Sequence, residues 1–121
     1  MNKLLVVFIG GGIGCLARYG IAQLNRQMPV VTFPVATLIS NTLSCLIVAI
    51  ALGLFAEKMQ AQPALYLLVI TGFCGGFSTF SAFSLETVQL IRDGHSLIAL
   101  VNVVVSLSLC LGVIFFLSKN N

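Results

Sequence analysis

Thr71-Gly72-Phe73-Cys74-Gly75-Gly76-Phe77-Ser78-Thr79-Phe80-Ser81-Ala82-Phe83-Ser84 is the stretch that decides the fold. Its fourteen positions hold three glycines, five hydroxyl residues and four phenylalanines, inside an apolar run from Leu65 to Ile91. Gly72 and Gly76 are i,i+4, and Gly72 and Gly75 are i,i+3, spacings that let a second helix come close. Close contact leaves the Ser and Thr residues that follow unexplained. Non-helical backbone at membrane depth is tolerated where protein buries it or where it lines a watery cavity. Helices interrupted in this way hold ions through their freed carbonyls. The pattern predicts a membrane helix broken within this stretch.

The rest of the chain agrees with a membrane setting. Of its 121 residues 59% are hydrophobic and 7% are charged, and the mean hydropathy is +1.11. A soluble domain carries about a quarter of its residues as Asp, Glu, Lys and Arg. Six basic and three acidic side chains cannot solvate a globule of this size. A soluble enzyme, a nucleic-acid binder and a disordered regulator are thereby excluded. Between the charges lie four apolar stretches, about 4–24, 35–55, 65–91 and 97–117. Each is long enough to cross the hydrocarbon as a helix. The expected fold is all-α: one transmembrane domain of four helices, with both termini on one side. Lys3 before an apolar run is reminiscent of a signal peptide, but Arg18 and Tyr19 stand where small cleavage-site residues belong. The first stretch is expected to stay in the protein.

Orientation is set by Lys and Arg in short flanking loops. Lys3, Lys58 and Lys119 fall on the terminal side, against Arg26, Arg92 and, near that end, Arg18. So even a division gives the insertion machinery little instruction. It is consistent with packing alone fixing the orientation, and more so with insertion both ways. Two opposed copies would recreate the inverted repeat that many transporters build by duplication. No internal repeat is visible, so such symmetry would come from an antiparallel homodimer.

Other residues are informative to different degrees. The run Gly10-Gly11-Gly12-Ile13-Gly14 follows no strand, so it reads as a place of close backbone approach and not as a phosphate loop. Arg18, one turn on, is an interface anchor, one half of an ion pair, or a charge at a pore mouth. In the second helix Thr37, Ser40, Asn41 and Ser44 share neighbouring faces. The Asn41 carboxamide needs partners in hydrocarbon, either as interhelical glue or as a pathway lining. Phe80 and Phe83 share a helix face, and aromatic ring edges are electropositive. Beside the Ser and Thr hydroxyls they suit an anion. Glu86, late in its helix, is a partner for Arg18 or a residue near the water interface, and less readily a coupling carboxylate. Asn102, Ser106 and Cys110 form a weakly polar track at i,i+4,i+8, divided between lining and packing. Cys15, Cys45, Cys74 and Cys110 lack metal-ligand spacing and read as packing residues. His95 reads as a solvated turn residue.

The run from Gly75 to Ser84 resembles the Fluc (CrcB) family of fluoride channels. The early glycines followed by Arg18, the stretch Thr37-Leu38-Ile39-Ser40-Asn41, and the four-helix length also match, so the likeness covers essentially the whole chain. The resemblance implies a fluoride-selective channel that passively exports fluoride through the plasma membrane of a bacterium and relieves its toxicity. It implies a dual-topology homodimer with two fluoride pathways, and a central Na+ bound by the backbone carbonyls of Gly75 and Ser78 of each subunit. Phe80 and Phe83 would face fluoride with their ring edges, Asn41 would stand beside the pathway, and Thr79, Ser81 and Ser106 would contribute polar groups. Ser78 and Ala82 stand where the family more often has threonine, and Thr42 and Ser44 where smaller residues are commoner.

Two other classes compete. A small multidrug-resistance-type proton-coupled exporter also has four helices, but it needs a carboxylate in its first helix, and this chain has neither Asp nor Glu there and no Trp at all. A non-transporting membrane subunit would scatter its polar residues among packing faces instead of gathering them at one break.

Overall fold

The computed structural model describes residues 2–28 and 31–118. Lys119, counted above among the flanking charges, lies outside the described residues. The order of elements is α1 (Lys3–Arg26), α2 (Val35–Leu54), a short α3 (Ala56–Ala61), α4 (Pro63–Tyr66), a π-helical segment (Leu67–Cys74), α5 (Gly75–Phe77), α6 (Phe80–Arg92) and α7 (Ser96–Ser118). Among the described residues four stretches are long and apolar enough to cross a membrane: Lys3–Arg26, Val35–Leu54, Pro63–Arg92 and Ser96–Ser118. The all-helical fold with an interrupted third span matches the expectation.

Helix ends follow from local chemistry. Asn2 caps α1, its Oδ1 accepting from the Leu4 N–H at 3.0 Å. Pro63 opens α4, where its missing N–H costs nothing. At the end of α6, Gly94 takes a φ of +82°, and the amides of Gly94 and His95 return to the carbonyls of Ile91 and Leu90. This left-handed stop turns the chain into α7 within three residues, Asp93 to His95.

Packing relies on shape more than on apolar burial. Leu4, Phe8, Leu16, Leu111 and Phe116 are exposed around the outside, as suits a surface that meets lipid. Lipid tails are as apolar as leucine, so close contact and hydrogen bonds must hold the spans together. Most of the glycine run makes that contact. Gly10, Gly11 and Gly14 of α1 lie against the backbone of the π-helical segment and α5. A Cβ on Gly14 would strike the Phe73 carbonyl and come within 2.8 Å of the Phe77 nitrogen. One on Gly76 would strike the Gly11 carbonyl. A Cβ on Gly12, by contrast, would meet nothing within 4 Å among the described residues. On the other side α2 packs along α7, and α6 against α7.

Candidate functional site

The third span breaks at two residues. Ser78 (φ −82°, ψ 157°) and Thr79 (φ −153°, ψ 116°) are extended between α5 and α6. Two extended residues in a helix strand several peptide groups, and each needs a partner at membrane depth. Asn41 of α2 supplies the main pairing. The Thr79 N–H donates to Asn41 Oδ1 at 2.7 Å, and Asn41 Nδ2 donates to the Thr79 carbonyl at 3.2 Å. The carboxamide thus serves Thr79 as a neighbouring strand would. Thr79 Oγ1 then caps α6 by accepting from the Ala82 N–H at 3.1 Å. The Cys74 carbonyl takes the Ser78 N–H, the Ser78 hydroxyl at 2.7 Å and the Ser44 hydroxyl at 3.1 Å.

Carbonyls at the break are left without the helical donor they would have had. The amide that would serve Gly75, that of Thr79, goes to Asn41, and the amide that would serve Ser78, that of Ala82, goes to Thr79 Oγ1. The Gly76 carbonyl instead accepts from Arg18 Nε at 3.2 Å. Arg18 is therefore drawn to the break, with its Nη2 also 4.0 Å from Cys15 Sγ. Glu86 finds a different partner: its Oε1 accepts from the Thr37 hydroxyl at 2.7 Å. Its Oε2 is buried with no hydrogen-bond partner among the described residues.

Beside the break lies a recess of about 210 Å³ with three walls. Asn41 and Cys45 come from α2; Ser78, Thr79, Phe80 and Phe83 come from the third span; Ser106, Leu107 and Cys110 come from α7. The Phe80 and Phe83 ring centroids are 5.6 Å apart with planes tilted by 39°. Phe83 is buried, whereas Phe80 is 75% exposed on the single chain. Ser81 is exposed, its hydroxyl 3.1 Å from that of Thr79. Gly75 is also exposed and open at its Cα.

Behind the α7 wall runs a chain of side-chain hydrogen bonds. Ser106 Oγ donates to Asn102 Oδ1 at 3.2 Å, Asn102 Nδ2 donates to Thr87 Oγ1 at 3.0 Å, and Thr87 Oγ1 donates to the Phe83 carbonyl at 2.7 Å. Asn102 is 1% exposed.

Six of the residues singled out from sequence thus line one recess: Asn41, Ser78, Thr79, Phe80, Phe83 and Ser106. Ser81, Gly75, Arg18 and Glu86 do not line it. Cys45 does, although it reads from sequence as a packing residue, and so does Cys110, whose polar track left lining and packing open. The signal was present, since Cys45 is four residues after Asn41 and Cys110 four after Ser106. Thr87 passed almost unremarked in the sequence because its partner lies on another helix.

Residues 5–117 match the profile of the family described as CrcB-like protein, Camphor Resistance. The chain is 39% identical to the fluoride-specific ion channel FluC 1 of Yersinia pseudotuberculosis over 99% of this chain and 95% of the relative. It is 40% identical to the fluoride-specific ion channel FluC of Serratia proteamaculans, covering 89% of this chain and 84% of the relative. The fluoride-specific ion channel FluC of Coxiella burnetii is also 40% identical, over 92% of this chain and 90% of its own length.

Proposed function

The chain belongs to the CrcB-like family, and from that premise we propose that it is a fluoride-selective ion channel. It works in the bacterial inner membrane as a multi-pass protein and carries out transport, not catalysis. The observation that carries this reading is the recess at the helix break, where two phenylalanine rings and neutral polar groups meet without a formal charge. Fluoride is small, strongly hydrated and an avid acceptor. A pore must replace its water with donors yet let it go again. Phe80 and Phe83 offer electropositive ring edges. Asn41 spends one N–H on Thr79 and keeps a second for the recess. Thr79 lines it with its hydroxyl 3.1 Å from that of Ser81, and Ser106 lines it from α7. Arg18 is held at the break by Gly76 and Glu86 by Thr37, so each acts through local structure beside the path.

The Gly75 and Ser78 carbonyls fit a Na+ site, because the break takes away their helical donors and leaves Gly75 at the surface. A bound Na+ would add fixed positive potential near the anion's path. One chain brings few such oxygens, and a second copy doubles the set, which supports a homodimer. The balanced Lys and Arg flanks support an antiparallel one. Adding two lysines to one terminal flank is expected to lock the orientation and lower fluoride flux; full activity of the locked protein would argue for parallel pairing.

The function is tested with purified protein in fluoride-loaded liposomes and a fluoride electrode. Release is expected once a potassium ionophore removes the charge limit. Efflux of an organic cation driven by a pH gradient, with no fluoride release, would overturn the reading in favour of a proton-coupled exporter.

A further inference from the structure

The hydrogen-bond chain behind the recess has its direction dictated from one end. The Phe83 carbonyl can only accept, so the Thr87 hydroxyl must donate to it. The Thr87 oxygen is then left to accept, which draws the Asn102 NH₂ toward it and turns Asn102 Oδ1 toward Ser106. A serine hydroxyl has one proton, and that of Ser106 is spent on Asn102. Ser106 therefore meets the recess with lone pairs, the wrong polarity for an anion. Asn102, at 1% exposed, is sealed from any solvent that would take its place.

We infer that Asn102 is a positioning residue that limits how firmly the recess holds its anion, by drawing the Ser106 proton away from it. The inference rests on the fluoride-channel reading and deepens it. The Asn41 and Thr79 wall already supplies donors to an ion that binds them avidly. One more would deepen the binding well, and conduction requires that the ion leave as readily as it enters. For Ser106 to serve the anion, it must first give up its bond to Asn102. Thr87 acts one step further back, keeping the Asn102 amide from turning its NH₂ toward Ser106.

The experiment measures initial fluoride release from liposomes against internal fluoride concentration. Asn102→Leu removes the side-chain acceptor of the Ser106 proton and is expected to lower the half-saturating concentration about fivefold, the worth of one net hydrogen bond no longer surrendered. Its maximal rate is expected to fall as well. Adding Ser106→Ala to Asn102→Leu should return the half-saturating concentration to the wild-type value or above. Thr87→Val, which keeps the shape and loses the hydroxyl, should lower it in the same direction, and Thr87→Ser should restore it. The Thr87 pair carries the test if Asn102→Leu does not assemble. With a conducting wild type, an unchanged or raised half-saturating concentration in Asn102→Leu overturns the inference alone. So do equal values for Thr87→Val and Thr87→Ser. A wild type that releases no fluoride overturns the channel reading, and this inference with it.

Discussion

Toward α1, the third span presents Gly72 and Gly76 to Gly10 and Gly11, and the Phe73 and Phe77 backbone to Gly14, backbone against backbone. Toward α2 and α7 it presents Thr79, Glu86 and Thr87 to Asn41, Thr37 and Asn102, polar group to polar group. The first face is held by shape. A glycine there leaves no side chain to rearrange, and its surroundings have no room to give. The second face is held by hydrogen bonds, each of which satisfies a peptide or hydroxyl that the break or the membrane would otherwise leave bare. Arg18 joins the two, reaching from α1 to the Gly76 carbonyl at the edge of the break. The lesson is a division of labour. The glycine face fixes where the third span lies, which leaves the polar face free to be built for an ion.

That contrast can be broken by substitution, and the largest effect belongs to the glycine face. Gly14→Val places a branched side chain against the Phe73 carbonyl and the Phe77 nitrogen, both of them backbone. Overpacking of this kind costs about 1–3 kcal/mol or more. Loss of the folded species on size-exclusion chromatography is expected, and a normally folded but slow channel would show that the face is more compliant than its geometry implies. On the polar face the effect should fall on transport. Phe80→Ile removes a ring edge worth roughly 0.5–1.5 kcal/mol, and fluoride release is expected to drop by up to about tenfold while the protein elutes unchanged. Loss of folding in this variant would make Phe80 a packing residue and erase the distinction. The smallest effect sharpens the glycine half. Gly12 sits in the same run, yet a Cβ there would meet nothing within 4 Å among the described residues, so Gly12→Ala should leave elution intact and shift thermal stability by no more than about 1 kcal/mol, the helix-propensity difference.

The same contrast separates what was legible in the sequence from what was not. The spans were legible because hydropathy is a local property and nine charges leave four clear intervals. The break was legible because hydroxyl residues inside an apolar run demand an explanation within a few residues. The close approach of the glycines was also foreseen, though nothing in the run Gly10-Gly11-Gly12 tells which of them face the neighbour. The polar face was only half legible. Asn41 stood out as a carboxamide in hydrocarbon, with glue and lining both open. Its bond to Thr79 links residues 38 apart, and the geometry gives it both a clamp on the break and a place on the recess wall. The link from Arg18 to Gly76 spans 58 residues and the one from Asn102 to Thr87 spans 15. Cys45 reads as a packing residue and Cys110 as either lining or packing, and the recess they line exists only once α2 and α7 are side by side.

By itself the sequence determined the solvent, the number of crossings and the site of the interruption. Each of these is set by the transfer energy of a short segment, which its own residues dictate. Only the tertiary structure decided which stranded peptide groups found which partners, and so which proton points where. The direction of the Ser106 hydroxyl is the clearest case, since it is imposed by a carbonyl on another helix through two intervening side chains. A hydrogen bond has a donor and an acceptor end, and that polarity passes along a chain of contacts in space.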